Sequence, residues 1–237
     1  MCGITGWIDL QAARPDSSVL EKMNDAAAHR GPDGKGTFLT QTRDGRTSIG
    51  LAHRRLSIID LSTGGQPMHS ADGLITLVFN GEIYNFQELR EELRALGWIF
   101  STTSDTEVLL NAYRAWGVDC LRRFRGMFAF ALWDAGREQL FMARDRFGKK
   151  PLFLWQEGER VLFASEIKSI LAHPAVKTGL DSASVLDFLQ YRYVPAPPHD
   201  VQRHRQASSG PLRPMARGQA EHRHLLPPAG RGDFPPA

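Results

Sequence analysis

The sequence has few of the features that mark membrane, exported or metal-binding proteins. None of its apolar runs approaches the ~20 residues that a transmembrane helix needs. The amino terminus has neither the basic region nor the apolar core of a signal peptide. The two cysteines lie 118 positions apart without a CxxC pair, so they indicate neither a disulfide framework nor a Cys-based metal site. We therefore expect a cytoplasmic protein that binds no membrane and no metal.

Lysine is absent from the last 41 residues, which differ from the rest of the chain. Six of the 29 basic and three of the 26 acidic residues lie there, so positions 1–196 carry 23 of each. The segment holds eight of the 14 prolines but six aliphatic, Met or aromatic residues, too few to offset the entropy of ordering. We predict a globular domain at 2–196 and a disordered, Pro- and Arg-rich tail at 197–237.

The body alternates short strand-like runs with amphipathic helices. Strands are predicted at residues 2–9, 47–52 and 74–80, and hairpins at 127–143 and 151–164. Helices are predicted at residues 17–29, 85–96, 106–116, 165–173 and 181–190. Regular βαβ units are too few for a doubly wound sheet. The pattern favours an α+β fold in which helices cover antiparallel sheets.

Three local patterns make these helix predictions specific. Asn85 followed by Glu88 is typical of a capping box. Asp105 is the predicted N-cap of the helix at 106–116, which Gly117 would end. In the helix at 181–190, an apolar stripe formed by three residues should pack on the domain. These residues are Val185, Leu186 and Leu189.

Cys2 is the first residue with potential chemistry. Initiator Met is generally removed when the next residue is small, which would make Cys2 the first residue. A terminal Cys supplies a nucleophile together with its own base, because an α-amine has a reference pKa of about 7.7–8.0. The alternative is that a Cys at this position has no function.

Four further segments could contribute polar groups to a site. HRGPD at 29–33 forms a Gly- and Pro-rich turn, and Arg55 ends a predicted strand. Asn80-Gly81 is typical of a hairpin turn, whereas Asp105 opens a helix. The structural alternatives are a plain type I′ turn for Asn80-Gly81, a surface ion pair for Arg55 and a plain cap for Asp105. His53 is interpreted as a hydrogen-bonded strand residue, not as a catalytic base.

Taken together, these motifs resemble the class II glutamine amidotransferases. RLSIID at 55–60, FNGEIYN at 79–85, RGMFAFALWD at 125–134 and RDRFGKKPLF at 144–153 are similar, in this order, to the glutaminase half of glutamine-hydrolysing asparagine synthetases. The resemblance covers about residues 2–197. It implies an N-terminal nucleophile hydrolase fold, an antiparallel β-sandwich flanked by helices in four αββα layers.

The resemblance also implies a role for individual residues. The Cys2 thiolate would attack the side-chain amide carbon of L-glutamine and give a γ-glutamyl thioester and ammonia. Asn80, through its side-chain amide, and Gly81, through its N–H, would form the oxyanion hole. Arg55 would bind the substrate α-carboxylate, and Glu82 and Asp105 its α-ammonium.

The remaining glutamine-binding residues implied by the resemblance follow Arg55 directly in the chain. These residues are Leu56, Ser57, Ile58 and Ile59. The loop at 64–67 would line the same pocket. Glutamine hydrolysis would need no cofactor, whereas ATP and Mg²⁺ are expected only for a synthetase domain, which we expect this chain to lack. The resemblance also implies that full-length members of the family form homodimers.

The tail departs from the family, and its composition suggests translation out of frame. Read one nucleotide later, Met215 followed by Ala216 must encode Trp. Permitted codons from 198 to 226 can spell HMTFNGIGKLPPGHYARWREGKLSIDTYY, which resembles the segment that the family carries at this point. An extra base near codons 197–198 would explain both the composition and this resemblance.

Three other functions compete with the glutaminase of an asparagine synthetase. One is another class II amidotransferase that supplies ammonia to a sugar or a purine precursor, and the order of RLSIID and the RDRFG stretch disfavours it. Another is a non-catalytic glutamine-binding module, which the presence of Cys2, Arg55, Asn80 and Asp105 disfavours. The third is a nucleic-acid-binding tail, disfavoured because the tail has no Lys and little aromatic interleaving. We therefore expect L-glutamine as the ligand and no nucleic acid.

Overall fold

The computed structural model describes residues 1–10, 15–57, 64–179, 182–193, 205–206, 210–211 and 215–216. Its strands are β1 (Gly3–Asp9), β2 (Gly34–Gln41), β3 (Ser48–Arg55), β4 (Met68–His69), β5 (Ile75–Ile83), β6 (Gly126–Asp134), β7 (Gln139–Arg144), β8 (Phe153–Glu157), β9 (Arg160–Ala164), β10 (Arg205–Gln206), β11 (Gly210–Pro211) and β12 (Met215–Ala216). Its α-helices are α1 (Ser17–Asp25), α2 (Phe86–Ala95), α3 (Asp105–Trp116), α4 (Ile167–Leu171) and α5 (Ser182–Tyr191), with short 3-10 helices at Ala28–Arg30 and Gly117–Arg122.

The strands form two antiparallel sheets. The first sheet has the order β10-β8-β9-β1-β3-β2, and the second has the order β11-β7-β6-β5-β4, with β12 also paired to β7. In the first sheet, β1 lies between β3 and β9, so the first strand of the chain has a neighbouring strand on each side. In the second sheet, β5 pairs with β6 along its whole length, from Ile75 opposite Asp134 to Ile83 opposite Gly126.

Three hydrophobic cores separate four layers. The middle core joins the facing sides of the two sheets, where Ile4 and Leu51 of the first sheet belong to one cluster with Val78 and Trp133 of the second. A second core packs α2 and α3 on the outer side of the second sheet. A third core packs α1 and α4 on the outer side of the first sheet. The predicted α+β fold with αββα layers is confirmed.

The sequence did not reveal every element. Strand β2 was missed because GKGTFLTQ lacks a clear apolar alternation, and it forms one edge of the first sheet. The helix predicted at residues 17–29 ends at Asp25, and a 3-10 turn at Ala28–Arg30 follows it. Asn80-Gly81 is not a hairpin turn, because both residues lie inside β5.

Both predicted N-caps are corrected by the hydrogen bonds. Ser104, not Asp105, is the N-cap of α3, because its hydroxyl accepts the N–H of Thr106. Asn85 precedes α2 but caps no helical N–H. Its side chain instead accepts the N–H of Arg125 at 2.9 Å and donates to the carbonyl oxygen of Arg123 at 3.0 Å. The side chain of Asn85 therefore fixes the loop before β6.

The region after residue 180 differs from expectation. In α5, Val185, Leu186 and Leu189 are 39%, 66% and 68% exposed, so the prediction that this stripe packs on the domain is wrong. Three two-residue strands of the tail pair with strands β7 and β8, although the tail was expected to be disordered throughout. The predicted boundary at 196–197 lies outside the described residues. In the described part of the chain, no helix has the length and apolar character needed to cross a bilayer.

Candidate functional site

Most residues singled out in the sequence meet at one pocket between the two sheets and the start of α3. This cavity, here called the Cys2 pocket, has a volume of about 110 Å³. Its lining residues are Met1, Cys2, Arg55, Leu56, Gly64, Gln66, Phe79, Asn80, Gly81, Glu82, Ser104, Asp105, Thr106, Met127 and Lys150. Among the described residues, the pocket included, no cluster of three or more His, Cys, Asp or Glu is placed to hold a metal ion.

Cys2 is held at the pocket by both its side chain and its backbone. Its Sγ lies 3.4 Å from the N–H nitrogen of Leu56 and 3.6 Å from the carbonyl oxygen of the same residue. Arg30 donates from Nε to the carbonyl oxygen of Cys2 at 2.9 Å. Because β1 begins at Gly3, between two neighbouring strands, the Cys2 thiol has a fixed position at the pocket wall.

Asn80 supplies a side-chain amide to the same wall. The residue is 1% exposed, and its Nδ2 is buried without a hydrogen-bond partner among the described residues. A buried donor left unpaired costs about 1–3 kcal/mol, so its presence in a pocket favours a ligand oxygen as its partner. Asn80 is therefore placed to donate to an oxygen of a molecule bound next to Cys2.

Gly81 is the next residue of β5, and its N–H lies on the edge of this strand that faces away from β6. In an antiparallel strand, alternate residues direct their N–H groups to opposite sides. The N–H groups of Phe79 and Ile83 point away from β6, because Gln66 Oε1 and Asp105 Oδ2 accept them at 2.6 and 3.0 Å. Gly81 lies between them in the alternation, so its N–H points to the same edge, beside the Cys2 pocket.

The lack of a side chain at Gly81 has a packing reason. A Cβ at this position would lie 2.6 Å from the Cα of Phe128 and would also collide with the carbonyl oxygen of Met127. The absence of a side chain at Gly81 therefore allows strand β6 to approach closely.

Asp105 is the buried acid of the pocket, at 4% exposure. Burial raises the pKa of Asp105 to about 6, and the negative charge of Glu82 adds to the increase. The hydrogen bond from the Ile83 N–H acts in the opposite direction. Glu82 lines the same pocket from β5. A cationic ligand group would relieve the repulsion between the two carboxylates.

Arg55 brings a guanidinium to the pocket from the last position of β3. The neighbouring turn fixes its backbone, since the Arg55 carbonyl oxygen accepts the N–H of Asp33 at 3.0 Å. The Asp33 carboxylate accepts the N–H of Ser57 at 2.8 Å. Leu56 also lines the pocket, whereas Ser57 is not among its lining residues. Ile58 and Ile59 lie outside the described residues.

His53 is unsuited to act as a base. It is buried between the sheets, its Nε2 lies 3.1 Å from the carbonyl oxygen of Phe79, and burial lowers its pKa to about 4. The interpretation as a hydrogen-bonded strand residue is confirmed.

Several lining residues escaped individual prediction. Gln66 was expected only as part of a lining loop, yet its side chain pairs with both the N–H and the carbonyl oxygen of Phe79. Met127 and Lys150 were quoted in motifs without a place in the site. Their positions depend on the pairing of β6 with β5 and on the loop after β7, and no local pattern indicates either.

The comparisons with known proteins agree with this geometry. A family model described as a glutamine amidotransferase domain matches residues 1–225. Asparagine synthetase [glutamine-hydrolyzing] 3 of Bacillus subtilis (strain 168) is 45% identical over 185 residues, which is 76% of this chain and 29% of the relative. Asparagine synthetase [glutamine-hydrolyzing] 1 of the same organism is 40% identical over 200 residues, 83% of this chain and 30% of the relative. The chain thus spans about three tenths of the length of these relatives.

Solved structures show the same fold at lower sequence identity. The chain is similar to the glutamine phosphoribosylpyrophosphate amidotransferase of B. subtilis complexed with ADP and GMP, at 20% identity and a TM-score of 0.57. It is also similar to a structure described as the allosteric regulatory enzyme of purine biosynthesis, at 23% identity and a TM-score of 0.59. Each match covers 72% of this chain and 43% of the other.

Proposed function

Since this chain belongs to the glutamine amidotransferase domain family, we propose that it hydrolyses the side-chain amide of L-glutamine to glutamate and ammonia. Cys2 is the nucleophile once Met1 has been removed and the Cys2 α-amine is free. The observation that carries this proposal is the buried, unpartnered Nδ2 of Asn80, a residue that lines the same pocket as Cys2.

The charges of the pocket match the two charges of a free amino acid. Arg55 presents a cationic fork suited to the α-carboxylate. Glu82 and Asp105 present anions suited to the α-ammonium, and binding that ammonium would offset the cost of burying the Asp105 carboxylate. A glutamine held at both charges directs its side-chain amide along the pocket to Cys2.

The chemical step follows from the groups around the Cys2 sulfur. The free α-amine accepts the thiol proton, and the sulfur attacks the amide carbon. The amide oxygen becomes an oxyanion, which the Asn80 Nδ2 and the Gly81 N–H stabilise by hydrogen bonding. The protonated amine returns its proton to the leaving nitrogen, so that ammonia departs and a γ-glutamyl thioester remains. Water then cleaves the thioester to glutamate and restores the thiol.

The use of the ammonia is proposed from the relatives. Because relatives at 45% and 40% identity are named asparagine synthetases, we assign the chain to the glutaminase part of such an enzyme. Conversion of aspartate to asparagine, with its ATP and Mg²⁺, would belong to the remainder of those proteins. The hydrolysis itself needs no cofactor in this scheme. A cytoplasmic location, a homodimeric full-length enzyme and the absence of nucleic-acid binding complete the proposal.

The test is glutaminase activity of the purified chain prepared with Cys2 as its first residue. We expect equal amounts of glutamate and ammonia from L-glutamine, and none from the variant Cys2→Ser, whose hydroxyl an amine deprotonates far less readily. Cys120→Ala is the matched control, because Cys120 is fully buried and burial raises the pKa of its thiol to about 12. Hydrolysis by Cys2→Ser at the parent rate would refute the proposal.

A further inference from the structure

The loop that follows β7 is built around one buried carboxylate. Asp145 Oδ1 accepts the N–H groups of Phe147 and Lys149 at 3.1 and 2.9 Å. Its Oδ2 accepts the N–H groups of Lys150 and Phe128 at 3.0 and 3.2 Å. Four backbone donors on one side chain fix the path of residues 145–150 and tie it to β6.

Arg144 holds the same loop from its other side. Its Nε donates to the carbonyl oxygen of Lys150 at 2.5 Å, and its Nη2 donates to that of Gly148. Gly148 has a φ of +61°, and a Cβ there would lie 2.9 Å from the Arg144 Cζ, so the turn closes tightly over the guanidinium. The loop therefore sets the backbone of Lys150 as firmly as a regular element would.

Lys150 carries its charge from this loop into the Cys2 pocket. The residue is 7% exposed, and its Nζ donates to the Met1 sulfur at 3.5 Å. A thioether is a weak acceptor for an ammonium that is removed from water. Without Met1 this contact is lost, and the ammonium of Lys150 faces the space beside the new α-amine of Cys2.

We propose that Lys150 is a positioning residue for the catalytic base, whose ammonium keeps the Cys2 α-amine unprotonated at neutral pH. The inference rests on the proposed function, in which that amine accepts the thiol proton. A neighbouring cation disfavours a second positive charge. By Coulomb's law, two unit charges at about 8 Å, twice a contact distance, still interact by about 0.5–2 kcal/mol at effective dielectric constants of 80–20, which shifts a proton equilibrium by roughly 0.4–1.5 pH units.

The other charges of the pocket do not replace Lys150. Arg55 faces the pocket from β3, Glu82 from β5 and Asp105 from the start of α3. In the chain without substrate, Arg55 offsets one of the two acids, and the ammonium of Lys150 offsets the other. Without the ammonium of Lys150, one carboxylate charge would remain unopposed in the pocket, and an unopposed anion favours protonation of the Cys2 amine.

A second group of charges lies behind the backbone of Cys2. Arg30 contacts the Cys2 carbonyl oxygen, but its charge is balanced by Glu166, whose Oε1 lies 3.1 Å from Arg30 Nη1. Glu166, which precedes α4, also binds Lys168 and His29. Glu166 offsets only one of the two cations Arg30 and Lys168, so this group keeps a positive charge that adds to the effect of Lys150 on the Cys2 amine.

The experiment compares Lys150→Met, which keeps the apolar stem and removes the charge, with Lys150→Arg, which keeps the charge. Lys149→Met is the matched control, since Lys149 is exposed and adjacent in sequence. All proteins carry Cys2 as the first residue, verified by intact mass. The pH dependence of kcat/KM for glutamine is measured together with an NMR titration of the Cys2 Cα, labelled with carbon-13.

For Lys150→Met we expect the acidic limb of the kcat/KM profile and the Cys2 NMR titration to move together to higher pH, by at least about 0.4 units. Lys150→Arg and Lys149→Met should follow the parent chain in both measurements. An unchanged NMR titration in Lys150→Met would overturn the inference. A chain that titrates as expected but hydrolyses no glutamine would overturn the proposed function, and only the electrostatic effect of Lys150 on the Cys2 amine would stand.

Discussion

Asp105→Asn should stabilise the protein at high pH while impairing substrate binding. The variant keeps an oxygen that can accept the Ile83 N–H, which lies 3.0 Å from the carboxylate, and removes the buried charge. The pKa of Asp105 is raised by burial from its ordinary value of 3.8 to about 6. That difference of about two units corresponds to about 3 kcal/mol of destabilisation by the ionised form.

The sign of the effect fixes its pH window. Between about pH 4 and 6 the folded protein retains a proton that the unfolded chain has released, so the parent loses stability as pH rises. The destabilisation by the ionised Asp105 carboxylate is absent below about pH 4 and complete above about pH 6. Asp105→Asn cannot titrate, so its advantage over the parent should grow by about 3 kcal/mol across this window.

Urea unfolding of both proteins at several pH values measures this difference. A range of about pH 3.5 to 8 extends beyond the titration window on both sides. Asp119→Asn, on the exposed side of the 3-10 helix Gly117–Arg122, is the control for a general effect of charge removal. In the same variant, KM for glutamine should rise about tenfold or more, because the substrate ammonium loses a charged partner. A stability difference that does not depend on pH would refute the assignment of the cost to the Asp105 charge.

Three substitutions test the other walls of the pocket. Asn80→Ala should lower kcat by about a hundredfold or more with a smaller effect on KM, because its amide acts on the oxyanion; steady-state kinetics with a normal kcat would remove Asn80 from that role. Arg55→Lys should chiefly raise KM for glutamine, since a point charge replaces a planar fork; an unchanged KM would contradict this. Gly81→Ala should lower the free energy of unfolding by about 1–3 kcal/mol, because its Cβ would meet the β6 backbone. Gly65→Ala is the control, because no atom of the described residues lies within 4 Å of the added methyl, and equal urea midpoints for the two variants would contradict the packing argument.

The α+β class was predictable because strands and helices alternate in the sequence with clear local signals, whereas the four αββα layers were predicted from the family resemblance. The hairpin of β6 and β7 and the helices α2 and α3 carry strong apolar periodicity, and their positions agree with prediction within a few residues. Strand β2 and helix α5 show where such signals fail. The former has no apolar alternation, and the latter has an apolar stripe that remains exposed.

The site was predictable in its residues but not in its geometry. The motif order identified Cys2, Arg55, Asn80 and Asp105, and all four line one pocket. The sequence could not show that Asn80 lies within a strand, because an Asn-Gly pair is locally indistinguishable from a turn. Only the pairing with β6 decides between the two.

No local sequence pattern indicates that the side chain of Lys150 lines the pocket, because this too depends on tertiary structure. Its charge reaches the pocket through a loop that Asp145 and Arg144 organise, after β7 has returned along β6. Two adjacent lysines in a sequence give no sign of which is buried. Tertiary structure separates the 7% exposed Lys150 from the exposed Lys149.

The central claim is that Cys2 forms a covalent γ-glutamyl thioester with glutamine. The direct measurement is mass spectrometry of the chain beginning at Cys2, quenched with acid during turnover and digested into peptides. The account predicts a mass increase of one γ-glutamyl group on the peptide containing Cys2, none on the peptide containing Cys120, and none anywhere in Cys2→Ala. Glutamine hydrolysis at the parent rate by Cys2→Ala, without an adduct on Cys2 in the parent, would contradict it.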